Sequence, residues 1–370
     1  MSLQGEEMGP LAGVRIVEFA GLGPGPMAAM LLADLGASVV QFVRPDADMD
    51  ALDRDPVMRN RTTVHLDLKK PNDALQAQRL VDHAEALIEG FRPGVMEGLG
   101  LGPDVCCVRN PRLVYARMTG WGQSGPLADR AGHDVNYIAL TGALDRIGRA
   151  GAPPTVPLNL IGDYGGGALY LALGLLSGII EARASGRGQT VDVAMVDGVA
   201  SLLSKQYGLL AAGLVRPGRA QNLLDGGAPF YDVYACSDGR YVAVGAIEEK
   251  FYRELLKGLG LDAAALPPQH DTNAWPQLRQ IFAERFALRS RDEWAAIFAE
   301  ADACVSPVLA MDEAPTHPSA QGRDAFVTLN GVRQPAPAPR FSRTPADAPA
   351  GSRRMKPDEA IALWARDAPG

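Results

Sequence analysis

The feature that most constrains this chain lies near its start. Residues 14–20 (VRIVEFA) form an apolar, β-branched run, and Gly21-Leu22-Gly23-Pro24-Gly25-Pro26 follows it. A helical pattern over 27–35 and a second apolar run over 37–43 come next. Two strands joined through a helix pair in parallel, because a parallel pair needs a crossover connection. The unit therefore predicts an α/β protein with a large doubly wound, Rossmann-like parallel sheet. Further strands are expected at 64–68, 86–88 and 113–118, and another at 190–196 with a helix over 201–214.

Asp163 stands just before GGGALYLALGLLSGIIEARASG. A helix is expected to open within that glycine run and to stop near Gly186, which places Asp163 close to its N-terminal end. The texture changes near Gln221. APFYDVYACSDGRYVAVGA reads as a β-hairpin turning at Ser237-Asp238-Gly239, followed by amphipathic helices near 249–259 and 274–287. The division this implies is a large domain over 8–215 and a small α+β domain over 225–312. A proline-rich extended crossing (334–349) then falls in a returning segment, 330–370, that ends in a helix over 357–366 and rejoins the large domain.

Composition narrows the function classes. The 370 residues are 47% hydrophobic and 21% charged, with a net charge of −7. This is the balance of a globular chain without the basic field that nucleic acid requires. The apolar run 165–180 is shorter than a bilayer span and reads as a buried core helix. MSLQGEEMGP has neither a basic nor an apolar signal region. Cys106, Cys107, Cys236 and Cys304 have no CxxC spacing and read as reduced packing residues. A cytoplasmic protein with no nucleic acid or membrane partner is expected.

Three separated segments carry ionisable groups beside apolar or glycine-rich stretches: His133 in GHDVNY, Asp163 in NLIGDYGGG and Glu248 in VGAIEEKFY. Converging on one pocket, they could exchange protons in acid–base chemistry on carbon. Each also has a plain structural reading, Asp163 and Glu248 as helix caps. The loop after the first strand fails as a dinucleotide fingerprint because Pro26 fills its sixth position. Arg44 ends the second strand where an acidic ribose-binding residue would stand, and suits a phosphate instead. Lys69, Lys70 and Arg92 follow other strands and either flank one sheet edge with Arg44 or are scattered solvated cations. His65, His83, His270 and His317 read as structural. No spacing makes a metal site, and no GxSxG elbow is present.

Ordered blocks over about 11–326 resemble CoA transferase family III and, within it, the racemase branch acting on 2-methylacyl-CoA thioesters. They include PLAGVRIVEFAGLGPGPMAAMLLADLGA, HLDLKKP, MTGWGQSGPLADRAGHDVNYIALTGAL, GDYGGGALYLALGLL and NLLDGGAPFYDVY. The resemblance implies that His133 and Asp163 are the two catalytic bases and that Glu248 orients His133. It implies that Arg44, Leu66, Lys69, Gly90, Phe91, Arg92, Asp134 and Tyr137 line the coenzyme A site. Gly98 departs from the pattern, since many relatives have Arg there. The resemblance also implies an interlinked homodimer, an acyl-CoA substrate and no cofactor besides the coenzyme A that the substrate carries. The alternative within the family is CoA transfer between carboxylic acids through an aspartyl anhydride at Asp163. A non-catalytic CoA-binding protein and an NADP oxidoreductase are weaker rivals.

Overall fold

The computed structural model describes residues 9–19 and 21–366. The opening stretch 1–8, read above for signals and containing the expected start of the large domain, and Ala20 at the end of the first expected strand lie outside the described residues.

The described residues divide into two compact units. The first runs to Thr141, resumes over Leu158–Leu202 and again from Pro318 onward. Its sheet contains β1 (Arg15–Phe19), β2 (Ser38–Val43), β3 (Arg61–His65), β4 (Ala86–Glu89), β5 (Val114–Thr119) and β6 (Gln189–Ala194). A two-residue edge strand, Arg353–Arg354, pairs with β3. From that edge the order is β3-β2-β1-β4-β5-β6, and each of these pairs is parallel.

Alternation along the strands builds a core on each face of this sheet. Val14 and Ile16 of the first strand region, Ile88 of β4, and Val114 and Ala116 of β5 face one core. Val17 and Phe19 of β1, Leu87 of β4 and Tyr115 of β5 face the other. The first core is closed by α1 (Pro24–Asp34), the second by α2 (Pro71–Val81) and the terminal helix Pro357–Arg366.

β3 begins three residues earlier than expected, because Arg61 is a strand residue despite its charge. Its side chain is fully buried, and Nε lies 2.6 Å from Oε2 of the equally buried Glu18 on β1. α1 also starts early, at Pro24, where the missing N–H costs nothing in the first helical turn.

The largest departure concerns the apolar helix. It opens at Leu160, before the glycine run, as a π-type segment over Leu160–Ala168. It continues as α4 (Leu169–Ser185) and is capped by Gly186 at φ +78°. The glycines are packing residues in its interior. A Cβ on Gly167 would lie 2.8 Å from Pro24, and one on Gly166 2.6 Å from Val199. The segment is thereby drawn against α1 and against α5 (Met195–Leu202). At 26 residues, the whole helix is long and apolar enough to span a membrane, contrary to the shorter run expected. Leu171, Leu175, Ile179 and Ala182 bury one stripe of it in the first core.

The second unit takes Gly142–Pro157 and Leu203–His317. The expected boundaries are therefore corrected: 142–157 and 203–215 leave the large domain, and the first unit resumes at Pro318 rather than 330. Ion pairs within the second unit explain the gain. Arg219 meets Asp145 at 3.1 Å, and Arg149 meets Asp232 at 2.5 Å. The helix expected over 201–214 is two helices, α5 in the first unit and α6 (Ser204–Ala211) in the second.

β7 (Tyr231–Ala235) and β8 (Tyr241–Gly245) form the expected hairpin, and β9 (Val305–Pro307) adds antiparallel to β8. Gly239 at φ +74° permits the turn. Three helices, α7 (Glu249–Leu259), α8 (Trp275–Phe286) and α9 (Arg291–Phe298), cover this sheet around Phe230, Tyr234, Phe282 and Trp294. All four cysteines are free, but Cys304 is exposed and so is no packing residue.

Candidate active site

In a parallel sheet every strand ends at the same edge, and ligands favour the point where the winding reverses. Here that point lies between β1 and β4, since β2 and β3 continue on one side and β5 and β6 on the other. A cleft of about 350 Å³ opens there. The loop after β1 contributes Gly21, Leu22 and Pro24. The turn after β4 contributes Gly90, Phe91 and Arg92, and the loop after β5 contributes Trp121, Arg130 and His133.

That third loop is held from beneath by Tyr137. The helix α3 (Asp134–Leu140) presents it, and its Oη donates to the Gly132 carbonyl at 2.5 Å. Its ring meets Trp121 edge-on at 4.8 Å. A Cβ on Gly132 would lie 2.8 Å from the Tyr137 ring and 2.9 Å from Trp121, so only glycine fits this bend. The chain then delivers His133 as the N-cap of α3, exposed to the cleft, with its N–H donating to Asn136 Oδ1 at 3.0 Å.

Asp163 lies in the first turns of the π-type segment. Such segments are rare and frequently mark functional sites. Its carboxyl is half-buried and takes a hydrogen bond from Asn159 Nδ2 at 3.1 Å. Burial pushes its pKa up, the Asn159 bond opposes this, Asp134 adds to the rise and His133 lowers it. Asp163 and His133 thus stand within reach of each other's field. The alternative reading of Asp163 as a helix cap is not met: its side chain makes no capping bond among the described residues, and Asp134 takes that role instead. Asp134 Oδ2 accepts the N–H of Gly162 at 2.6 Å and of Asp163 at 2.8 Å.

The expected coenzyme A residues separate into groups. Gly90, Phe91, Arg92 and Tyr137 line the cleft. Arg44 and Lys69 are exposed just beyond β2 and β3, at the same sheet edge but outside the cleft lining. Leu66 is 3% exposed within the core, so its side chain is not offered to a ligand and only its main chain could be. The Asp134 side chain is likewise 7% exposed and turned inward. Glu248 belongs to the second unit, where it is the exposed N-cap residue of α7 and its side chain makes no capping bond.

Sequence reasoning missed Asn159, Arg130 and the acid that shapes the β4 turn. Glu89 is fully buried, accepts the Phe91 N–H at 2.8 Å and pairs with Arg117 at 2.8 Å. Asn159 and Arg130 had a signal, each lying within four residues of Asp163 or His133. Glu89 had none, since only the parallel register sets Arg117 beside it. Among the described residues no group of three His, Cys, Asp or Glu side chains could hold a metal ion.

A family model described as CoA-transferase family III matches residues 11–358. Alpha-methylacyl-CoA racemase of Mus musculus is 46% identical over 337 residues, covering 91% of this chain and 87% of that protein. The Homo sapiens protein of the same name is 45% identical over the same shares. A solved CAIB/BAIF family protein from Brucella suis superposes with a TM-score of 0.82 at 24% identity, covering 98% of this chain and 100% of that one. At that identity the superposition speaks for the fold.

Proposed function

This chain belongs to CoA-transferase family III, and from that footing we propose that it is an isomerase interconverting (R)- and (S)-2-methylacyl-CoA thioesters. The observation that carries the reading is the nearness of two proton carriers of different kinds: His133 lines the cleft, and Asp163, which is not part of that lining, is tied by its N–H to the carboxylate of Asp134, the residue after His133. The racemase relatives support the substrate class.

A carbon beside a thioester is weakly acidic, so its proton leaves only to a placed base with the enolate held. His133 removes the proton from one epimer while Asp163, whose partly buried setting favours its protonated form, returns one on the opposite face. For the other epimer the roles reverse. The main-chain N–H of Asp134, at the head of a helix where there is no intrahelical partner for it, is suited to hold the enolate oxygen. Each general acid or base contributes on the order of 10²–10⁴ in rate. No redox or group-transfer cofactor enters such a reaction; the coenzyme A arrives on the substrate, with Arg92, Arg44 and Lys69 offered to its phosphates.

Exposed apolar side chains support an interlinked pair of copies. Leu169, Leu173 and Ile180 of α4 are 56%, 61% and 70% exposed. In this reading Glu248 reaches His133 from a second copy. A monomer with full activity in light scattering would overturn the pairing.

The reading is tested by incubating one epimer of a 2-methylacyl-CoA in deuterated water. Deuterium enters the α-position and the other epimer appears; absence of both refutes the proposal. Inactivation at Asp163 by hydroxylamine in the presence of acyl-CoA would favour transfer through an anhydride instead.

A further inference from the structure

We propose that Asp134 is a positioning residue for both bases: its carboxylate straps the helix headed by His133 to the segment carrying Asp163 and so fixes the gap between them. The inference rests on the racemase reading and deepens it.

Three observations converge on the strap. Asp134 follows His133 directly and begins α3, so a pull on its side chain moves the imidazole's own backbone. Its Oδ2 accepts two N–H groups at once, from Gly162 at 2.6 Å and Asp163 at 2.8 Å. These are early amides of a helical segment, which have no partner within the helix and carry its positive end. A charged acceptor there is short and strong.

Gly162 makes the approach possible. A Cβ at that position would lie 2.6 Å from Asp134 Oδ2 and 2.8 Å from Cγ, distances real side chains do not adopt. The carboxylate faces neither solvent nor the cleft, and its other oxygen, Oδ1, is buried without a partner among the described residues. A residue that bound coenzyme A through its side chain would be turned the other way. The strap also places the Asp134 carboxylate beside Asp163, with His133 and Tyr137 in the same field.

The test uses D134A, D134N and G162A in the full chain. D134A removes the acceptor, G162A pushes the intact acceptor away, and D134N keeps an accepting oxygen without the charge. For D134A and G162A, kcat for racemisation is expected to fall about 100-fold, the scale of a misplacement near 1 Å. KM for the acyl-CoA should stay within about threefold, since the strap acts on geometry rather than uniform binding. D134N should recover most of the loss and also serves where D134A fails to fold.

Hydrogen exchange reads the strap without reference to activity. The Gly162 and Asp163 amides should be protected in the wild type and lose protection in D134A and G162A. Unchanged protection, or a raised KM with intact kcat, overturns the proposal. Wild-type protein that strapped these amides yet exchanged no α-proton would refute the racemase reading alone.

Discussion

Gly23 stands so close to Asp163 that a Cβ on it would lie 3.1 Å from Oδ2. Gly23 also holds φ at +69°, a conformation that side chains strain to adopt. The loop after β1 is thus shaped around a carboxyl group rather than around a nucleotide phosphate. Gly23→Ala should lose about 1–3 kcal/mol of stability through backbone strain, since ψ there is −116°. It should lose at least about tenfold in kcat through displacement of the carboxyl. Steady-state kinetics beside a urea melt separate the two, and a variant with native kcat would place the Gly23 contact outside the mechanism.

Asp163 makes a pH prediction with a definite sign. Its folded pKa is raised above 3.8, chiefly by burial. Between the unfolded and folded values the folded protein holds a proton that the unfolded chain has released. Stability therefore falls as pH rises through that window. Asp163→Asn should melt higher than wild type at neutral pH, with the gap closing as pH falls through the folded value toward 3.8. The same variant should lose racemisation by on the order of 10²–10⁴. A gap that widened in acid would contradict the account.

Arg117 carries two acids at once, Glu89 at 2.8 Å and Glu97 at 2.7 Å. Glu89 is fully buried and its pKa is pushed up, chiefly by burial. Arg117→Met leaves it without a counter-charge, which should destabilise the fold by about 3–5 kcal/mol. The double change Glu89→Leu with Arg117→Met should restore much of that, because it buries no charge. Denaturant titrations of the single and double variants decide it; additive losses would mean the pair is not coupled.

Arg92 lines the cleft from the turn after β4. Arg92→Ala should raise KM for acyl-CoA about tenfold, the size of one charge-assisted hydrogen bond, with kcat nearly unchanged. The salt dependence of KM should weaken with it. A fall in kcat alone would move Arg92 from substrate binding to the chemistry.

Single-base variants separate the two faces of the carbon. His133→Ala should still exchange the α-proton of the epimer that Asp163 faces, and Asp163→Ala that of the other epimer. Each should lose interconversion by on the order of 10²–10⁴. Equal loss of exchange from both epimers in both variants would remove the two-base assignment.

Much of the architecture was legible because its causes are local. The β1–α1–β2 unit, the β7–β8 hairpin and the helices Glu249–Leu259 and Pro357–Arg366 follow from apolar alternation, turn glycines and helix-opening residues close together in the chain. The same locality hid the start of β3. Arg61 looks like a loop residue until Glu18, 43 positions away, is seen against it in the core. The glycines after Asp163 looked like a helix start, whereas they sit inside a helix that needs their missing side chains to approach α1 and α5.

The sequence by itself determined the doubly wound class, the β1–α1–β2 unit and the β7–β8 hairpin, and it singled out His133 and Asp163 as candidate proton carriers. Tertiary structure alone decided that Leu66 faces the core, that Asp134 turns inward onto the Gly162 and Asp163 amides, and that Glu89 lies beneath the cleft with Arg117. Local patterns set which elements form, since backbone preference and side-chain alternation act over a few residues. Which side chains meet depends on the parallel register and on helix contacts between segments tens of residues apart, and no local pattern carries that information.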